Sequence, residues 1–270
     1  MNKEVRDKLY AQAKEWVLEA GVRVRKQMYD PLVIHTKSSP RDLVTTVDQE
    51  TERFFAMRIR EQYPDHHLIS EEGYGDKLHT SDGVVWIIDP IDGTTNFIHQ
   101  RRNFAISLAI YVDGVGEIAF VYDIMQDYLY HAKRNEGAYK NHIRLKPLRR
   151  NFTISESVLA MNNRWLIPNK LVDESIMEQL IQEVRGTRTY GSAALEFCYV
   201  AEGIVDGYLS HSLCPWDIAA GMILVREVGG VTTNIDGDPV DILKKNSILT
   251  CNQSIQQSII KDYIEKGRKV

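Results

Sequence analysis

Apolar residues recur at helical spacing in two stretches near the start of the chain. Residues 3–28 carry six of them on one face, which predicts an amphipathic helix: Leu9, Ala13, Trp16, Val17, Ala20 and Val24. A turn-rich stretch follows at 30–40. Asp48 is then predicted to be the N-cap of a second helix, because apolar residues follow it at four-residue steps until Pro64 stops the pattern.

From Leu68 onward the pattern changes from helical to that of strands. Turn signals separate short apolar runs, which predict a mainly antiparallel sheet: 68–69, 84–88, 104–112 and 116–124. The pair Asp113-Gly114 between the last two runs is typical of a β-hairpin.

The second half of the chain alternates between the two patterns. Helices are predicted at 170–184, 192–203, 216–228 and 254–266, and strands near 205–209, 231–234 and 247–251. We therefore expect an α+β fold with two lobes. An N-terminal α+β lobe would span 1–146, and a C-terminal α/β lobe would span 147–270.

Composition and charge narrow the classes of partner. The 270 residues are 43% hydrophobic and carry a net charge of -4, so we expect no general attraction to nucleic acid or to an anionic membrane. The three cysteines show no CxxC spacing and are expected to be reduced. The charged N-terminus lacks the apolar run of a signal peptide. The expected location is the cytoplasm.

The segment 86–97 carries the strongest chemical signal. An apolar strand is predicted to end at two carboxylates, Asp89 and Asp92, with Pro90 keeping Asp89 extended so that the turn aims both acids outward. Gly93 allows close approach to a ligand, and Thr94 would begin a helix. Since Mg²⁺ prefers oxygen ligands, the acids and the carbonyl of residue 91 would suit a pair of such ions, and the following amides would suit phosphate.

Each candidate taken alone also has an ordinary structural interpretation. The two aspartates would then be a strand end and a cap, Glu71-Glu72 a solvated loop, and Asp217 an N-cap. The small residues that open a helix at 191–194 would reflect close helix packing. Together, however, these acidic and small residues favour a site that binds metal and phosphate. No nucleotide-binding glycine motif, zinc-protease motif or hydrolase elbow competes with it.

Four elements resemble the signature elements of the inositol monophosphatase family. They are SEE at 70–72, DPIDGTTNF at 89–97, GSAA at 191–194 and WDIAAG at 216–221, and their order and spacing agree with the family. The resemblance implies a layered α-β-α-β-α sandwich of the inositol monophosphatase and fructose-1,6-bisphosphatase type. It also implies a bacterial, lithium-sensitive, Mg²⁺-dependent phosphatase that forms homodimers.

The resemblance further implies roles for individual residues. Two or three Mg²⁺ ions would be bound by Glu71, Asp89, Asp92, Asp217 and the carbonyl of Ile91. Thr94 with Glu71 would orient or deprotonate the attacking water, Asp48 would pair with Thr94, and the amides of Gly93 and Thr94 would bind phosphate. Lys37 would lie on a mobile loop over the site. Because Asp92 is expected to be a metal ligand and not a core contact, its replacement by asparagine should leave the fold intact.

On the substrate side, the resemblance is less complete. It places the alcohol part of a small phosphorylated metabolite beside Gly191, Ser192 and Ala193, with Arg188 close by. Ser210 stands where animal inositol monophosphatases carry a glutamate that binds inositol hydroxyls. Inositol 1-phosphate is therefore expected to be one of several substrates. An NADP(H) 2'-phosphatase or a fructose-1,6-bisphosphatase of the same fold stays open.

A different class also stays open, because some bacterial relatives bind the transcription machinery. The residues that would serve such contacts are Arg101, Arg102, Lys146, Arg149 and Arg150. Basic clusters of this size are usually solvated faces, and the acidic balance of the chain argues against binding to RNA.

Overall fold

Two helices open the chain, and the turn before the second one differs from the prediction. The computed structural model describes residues 1–36, 43–149 and 151–269. Helix α1 is Lys3–Gln27 and helix α2 is Thr46–Gln62. The prediction that Asp48 is the N-cap of α2 is wrong. The N-cap is Thr45, and Asp48 lies three residues further on in a capping box, where its carboxylate accepts from the Thr45 backbone N–H.

A seven-stranded sheet follows, and the apolar runs predicted its first four strands. Strands β1 (Ile34–Thr36) and β2 (Leu43–Thr45) form a separate pair. The sheet itself runs in chain order through β3 (His67–Ser70), β4 (Val84–Asp92), β5 (Ala105–Val112), β6 (Val115–Asp123), β7 (Tyr128–Lys133), β8 (Ala138–Lys140) and β9 (Ile143–Arg144). Only β3 and β4 pair in parallel. The β5–β6 hairpin is confirmed, and its turn residues have positive φ, 50° at Asp113 and 75° at Gly114.

A second, five-stranded sheet is built from the rest of the chain. Its strands lie in the order β11, β10, β12, β14, β13, with β10 at Val158–Met161, β11 at Gly186–Arg188, β12 at Gly207–Leu213, β13 at Val231–Thr233 and β14 at Asn246–Cys251. The remaining helices are α3 (Thr94–Gln100), α4 (Glu174–Glu183), α5 (Ala193–Glu202), α6 (Pro215–Glu227) and α7 (Gln253–Ser258), which continues as a π-helix at Ile259–Ile264.

Three apolar clusters show how the elements are layered. One holds α1 and α2 against the outer face of the first sheet, and another holds α4 and α7 against the outer face of the second. The third encloses α5 and α6 between the two sheets. A Cβ at Gly221 of α6 would lie 2.3 Å from the Phe197 ring of α5, so only glycine permits this close packing. The layers are α-β-α-β-α, which confirms the predicted α+β sandwich.

The two sheets separate along the chain, since the first lies within 67–144 and the second within 158–251. The central cluster draws residues from both halves. The division into lobes 1–146 and 147–270 stays a prediction. In the described parts of the chain, no helix is both long and apolar enough to cross a bilayer.

Candidate active site

A β-bulge in β4 brings the two acids of the DPID segment to one side. Asp89 pairs with Ser107 and Asp92 with Ala105, so β4 has one residue more than β5 over this stretch. In a regular strand, residues three apart point to opposite faces, and the extra residue cancels that alternation. Pro90 lies inside the bulge, where no ladder hydrogen bond needs its missing N–H. The strand thus continues through Asp92, so a bulge within the strand, and not the predicted turn, directs both acids.

Asp217 joins these two acids from another layer. One carboxylate oxygen from each of Asp89, Asp92 and Asp217 lies within 4.8 Å of the others. Asp217 is in the first turn of α6, and its Oδ2 accepts from the N–H of Cys214, the N-cap, at 2.7 Å. The fold therefore brings together the end of β4 and the start of α6, as the resemblance implies.

The electrostatics of this cluster are those of a site built for cations. Burial raises the pKa of Asp92 to about 7, although hydrogen bonds from Ser192 and Ala194 act in the opposite direction. Burial and the nearby Glu71 charge raise the pKa of Asp89, and burial with the Asp92 charge raises that of Asp217. Buried carboxylates that repel one another are stabilised as anions when a cation lies among them.

Glu71 approaches this cluster from β3 and is held there by a residue that the sequence does not reveal. Glu71 is not one of the three closely grouped acids, but its charge acts on the pKa of each. The loop that carries it is bound by Glu52 of α2, which is fully buried. Its carboxylate accepts from the Ser70 hydroxyl at 2.7 Å, the Glu72 N–H at 2.5 Å and the Tyr74 N–H at 2.8 Å. Sequence reasoning missed Glu52, because a glutamate on an amphipathic helix is usually solvated.

Asp92 has a structural role in addition to its place in the cluster. It is 6% exposed and accepts three hydrogen bonds from the start of α5: from the Ser192 hydroxyl, from Ala193 N–H at 3.3 Å and from Ala194 N–H at 2.8 Å. The expectation that Asp92 makes no core contact is therefore wrong. The helix N-terminus favours the charged carboxylate, and the contact ties β4 to the helix between the sheets.

Thr94 and Asp48 form the predicted pair. The Thr94 hydroxyl lies 3.0 Å from Asp48 Oδ1 and 3.1 Å from the carbonyl oxygen of Ile91. Asp48 Oδ2 already accepts from the Thr45 backbone N–H at 3.0 Å and from the Thr45 hydroxyl, so Oδ1 is left for Thr94. Because the hydroxyl has one proton, donation to Asp48 leaves its lone pairs free to accept from a water molecule.

Two glycines permit a close approach between the loop after β4 and the loop before α5. Gly93 has a φ of 95° and is the N-cap of α3, which begins at Thr94 as predicted. A Cβ at Gly93 would lie 3.2 Å from the carbonyl oxygen of Gly191, which itself has a φ of 78°. The contact places the predicted phosphate-binding amides of Gly93 and Thr94 beside Ser192. Their role in binding phosphate stays a prediction.

A pocket of about 280 Å³ opens beside the aspartates. Its lining includes six of the predicted site residues: Asp92, Gly191, Ser192, Ala193, Ser210 and Asp217. Arg188 does not line it; this side chain is exposed in β11, and its guanidinium donates to the Thr187 carbonyl. Lys37 lies outside the described residues. The pocket also contains residues that the sequence did not identify: Asn162, Arg164, Thr189, Glu196, Tyr208, His211, Ser212 and Leu213.

The donor set fits magnesium. The closely grouped set consists of carboxylate oxygens, with no histidine or cysteine in it among the described residues, and hard divalent cations prefer oxygen ligands. A bound cation would also stabilise the adjacent charges of Asp89, Asp92 and Asp217, whose pKa values are raised without one.

Comparisons with known proteins agree with this geometry. The pattern of the Inositol monophosphatase family matches residues 5–267. "Inositol-1-monophosphatase" of Bacillus subtilis is 50% identical over 93% of this chain and 95% of its own length. A structure of inositol monophosphate-bound SaIMPase-II is 41% identical with a TM-score of 0.86, covering 96% of this chain and 94% of that one. An IMPase/NADP phosphatase solved with Mg²⁺ and phosphate has a TM-score of 0.87 at 25% identity, covering 95% of each chain.

Fold, carboxylate cluster and relatives together define an enzyme that hydrolyses phosphoric monoesters with Mg²⁺. The chain belongs to the inositol monophosphatase family. One further relative bears on the regulatory alternative: the "Nus factor SuhB" of Pasteurella multocida is 40% identical over 75% of each chain.

Proposed function

We propose that this enzyme hydrolyses inositol 1-phosphate and, with broad specificity, other small phosphate monoesters. The observation that carries the proposal is the group of Asp89, Asp92 and Asp217 within 4.8 Å of one another at the edge of a pocket large enough for a sugar-sized alcohol. The name of the B. subtilis relative and the ligand bound to SaIMPase-II support the choice of substrate.

Two or three Mg²⁺ ions would be held by Glu71, Asp89, Asp92, Asp217 and the carbonyl of Ile91. When bound, Mg²⁺ supplies a lowered pKa for coordinated water and neutralises charge on phosphate and leaving oxygens. The protein's own groups orient the reactants.

The Thr94 hydroxyl donates to Asp48 and can therefore accept a hydrogen bond from the attacking water, while Glu71 takes up one proton of that water as it attacks. Since Asp48 is held by two hydrogen bonds from Thr45, the Thr94 hydroxyl that donates to Asp48 keeps a fixed direction. The amides of Gly93 and Thr94, at the start of α3, bind the phosphate oxygens. No covalent phosphoenzyme is formed, because no nucleophilic side chain is needed once the water is oriented.

The alcohol side of the pocket supports broad specificity. Gly191, Ser192 and Ala193 line it with small groups, and Ser210 leaves space and removes a negative charge where animal relatives carry a glutamate. Arg188 would reach a large substrate from the edge of the sheet. The 2'-phosphate of NADP(H) and the 1-phosphate of fructose 1,6-bisphosphate are the alternative substrates, and an IMPase/NADP phosphatase is among the structural relatives.

Several further properties follow from the family resemblance. We expect inhibition by Li⁺, a homodimer, and closure of the loop around Lys37 over the site. The cytoplasm is the proposed location, because Cys198, Cys214 and Cys251 are all unpaired thiols.

A second candidate function is binding to the transcription machinery, which the similarity to the Nus factor SuhB favours. It does not exclude catalysis, since the acids and Thr94 are all present in this chain. Retention of the purified protein by immobilised RNA polymerase would support this second function. An Arg101→Glu/Arg102→Glu variant serves as the control for surface charge.

The deciding experiment is phosphate release with Mg²⁺ from four substrates side by side: inositol 1-phosphate, NADP, fructose 1,6-bisphosphate and 3'-phosphoadenosine 5'-phosphate. We expect release that EDTA abolishes and Mg²⁺ restores, with inositol 1-phosphate among the best. Asp217→Asn is the matched control, because it removes one acid of the cluster. Binding of Mg²⁺ without release from any substrate would refute the proposal.

A further inference from the structure

A second β-bulge shapes the alcohol side of the pocket. Ser210 of β12 pairs with Ile248 of β14, and Leu213 pairs with Asn246, so β12 has one residue more than its neighbour. In a regular strand, Ser210 and His211 would point to opposite faces. Here the consecutive residues from Ser210 to Leu213 all line the pocket. The bulge therefore brings His211 to the same pocket as Ser210.

The two ring nitrogens of His211 have different surroundings. Nε2 is buried and has no hydrogen-bond partner among the described residues. The imidazole and the indole of Trp165 are in contact and close to perpendicular, with 3.8 Å between the ring centroids and 70° between their planes. Because a buried N–H beside an aromatic ring is less costly than a buried lone pair, we assign the proton to Nε2.

In this tautomer Nδ1 is a hydrogen-bond acceptor. Nδ1 is not enclosed by protein atoms, and the side chain lines the pocket. Burial lowers the pKa of His211 and the nearby Arg164 charge lowers it further, so the ring is neutral near pH 7 and keeps its acceptor.

We propose that His211 is a specificity-determining residue whose Nδ1 accepts a hydrogen bond from a hydroxyl of the substrate's alcohol part. This inference rests on the proposed function. A neutral acceptor in the strand position after Ser210 recognises hydroxyl groups without repelling a second phosphate. The substrate class is therefore a phosphorylated polyol or sugar, including one with a further anionic group.

Three variants of His211 distinguish the contributions of its two ring nitrogens to substrate binding. His211→Asn places an amide oxygen near the position of Nδ1, His211→Gln reaches the position of Nε2, and His211→Ala removes both. Steady-state kinetics would be measured for the preferred hydroxyl-bearing substrate of the panel and for 4-nitrophenyl phosphate, whose leaving group has no aliphatic hydroxyl. The midpoint of thermal unfolding would be recorded for each variant.

One neutral hydrogen bond corresponds to roughly a threefold to tenfold change in binding. We expect His211→Ala and His211→Gln to raise KM for the hydroxyl-bearing substrate by about that factor, with kcat within about twofold and KM for 4-nitrophenyl phosphate nearly unchanged. His211→Asn should restore KM to within about twofold.

A parallel rise in KM for both substrates, or equal behaviour of the asparagine and glutamine variants, would show a purely structural role and overturn the proposal. So would an unchanged KM in His211→Ala. If the wild-type protein releases phosphate from neither substrate, the proposed function itself is refuted, and the role of His211 falls with it.

Discussion

Replacement of Glu52 by glutamine tests whether the buried Glu52 carboxylate positions the loop that carries Glu71. Oε1 of Glu52 accepts from the Ser70 hydroxyl and the Tyr74 N–H, and Oε2 accepts from the Glu72 N–H. A glutamine amide has only one oxygen. In either orientation its NH₂ group faces one of the two backbone N–H groups, so one donor is left unpaired in a buried place.

An unpaired buried donor costs about 1–3 kcal/mol. In a protein of this size each kcal/mol corresponds to a change of about 2–4 °C in the unfolding midpoint, so a loss of about 2 kcal/mol predicts a fall of roughly 4–8 °C. Because the loop also carries Glu71, a shift of about 1 Å there is expected to lower kcat/KM by roughly 10- to 100-fold.

Calorimetry in EDTA and in saturating Mg²⁺ measures the first effect, and phosphate release as a function of Mg²⁺ concentration measures the second. Glu50→Gln is the matched control, because Glu50 lies on the same helix but is exposed. The reasoning fails if Glu52→Gln unfolds at the wild-type temperature and keeps the wild-type Mg²⁺ dependence, or if Glu50→Gln has an equal effect.

Three other changes follow from the geometry of the site. Thr94→Val leaves Asp48 Oδ1 without its donor and removes the hydroxyl that would accept from water, so it should lower kcat by at least about 100-fold. Thr94→Ser should keep most of the activity; equal rates of phosphate release by the two variants would contradict the role of the hydroxyl. In EDTA the protein should lose stability as pH rises from about 4 to 7. Over this range the unfolded chain has already lost the proton of Asp92, whereas burial raises the pKa of Asp92 in the folded protein to about 7. Asp92 alone lowers the free energy of unfolding by about 1.4 kcal/mol between pH 6 and pH 8, so Mg²⁺ should stabilise the protein more at pH 8. Urea unfolding with and without Mg²⁺ measures both effects. A gain in stability with rising pH in EDTA would refute the predicted direction. Gly191→Ala should cost about 1–3 kcal/mol and most of the activity, while Gly203→Ala, at a similar positive φ but with no neighbouring atom within 4 Å, should cost stability alone; the unfolding midpoint and phosphate release of both variants separate the two effects.

Local signals predicted a large part of the fold. The apolar face of α1, the β5–β6 hairpin and the start of α3 each depend on residues close together in the chain, and the structure has all three. The short strands β10 and β11 gave no clear signal, since three or four residues do not establish a period; β10 is a strand through its pairing with β12, and β11 through its pairing with β10.

The candidate site was predicted in its acids but not in their supports. Asp89 and Asp92 could be named because they follow the apolar run at 84–88, and Asp217 because it belongs to the WDIAAG element. Glu52 could not, since its three donors come from a loop that begins 18 residues later in the chain. The two β-bulges depend on the register of neighbouring strands, which a single sequence does not show. For that reason His211 could not be named from the sequence alone.

The contact between Asp92 and the start of α5 has a consequence for the lifetime of the protein. The carboxylate that would hold a metal ion also joins β4 to the helix between the sheets. A magnesium ion bound there would stabilise the charged form of Asp92 and, with it, this contact between the layers. When the ion is scarce, proteases should cut the chain faster at segments between the layers, so the supply of Mg²⁺ would govern how long each enzyme molecule survives as well as how fast it works.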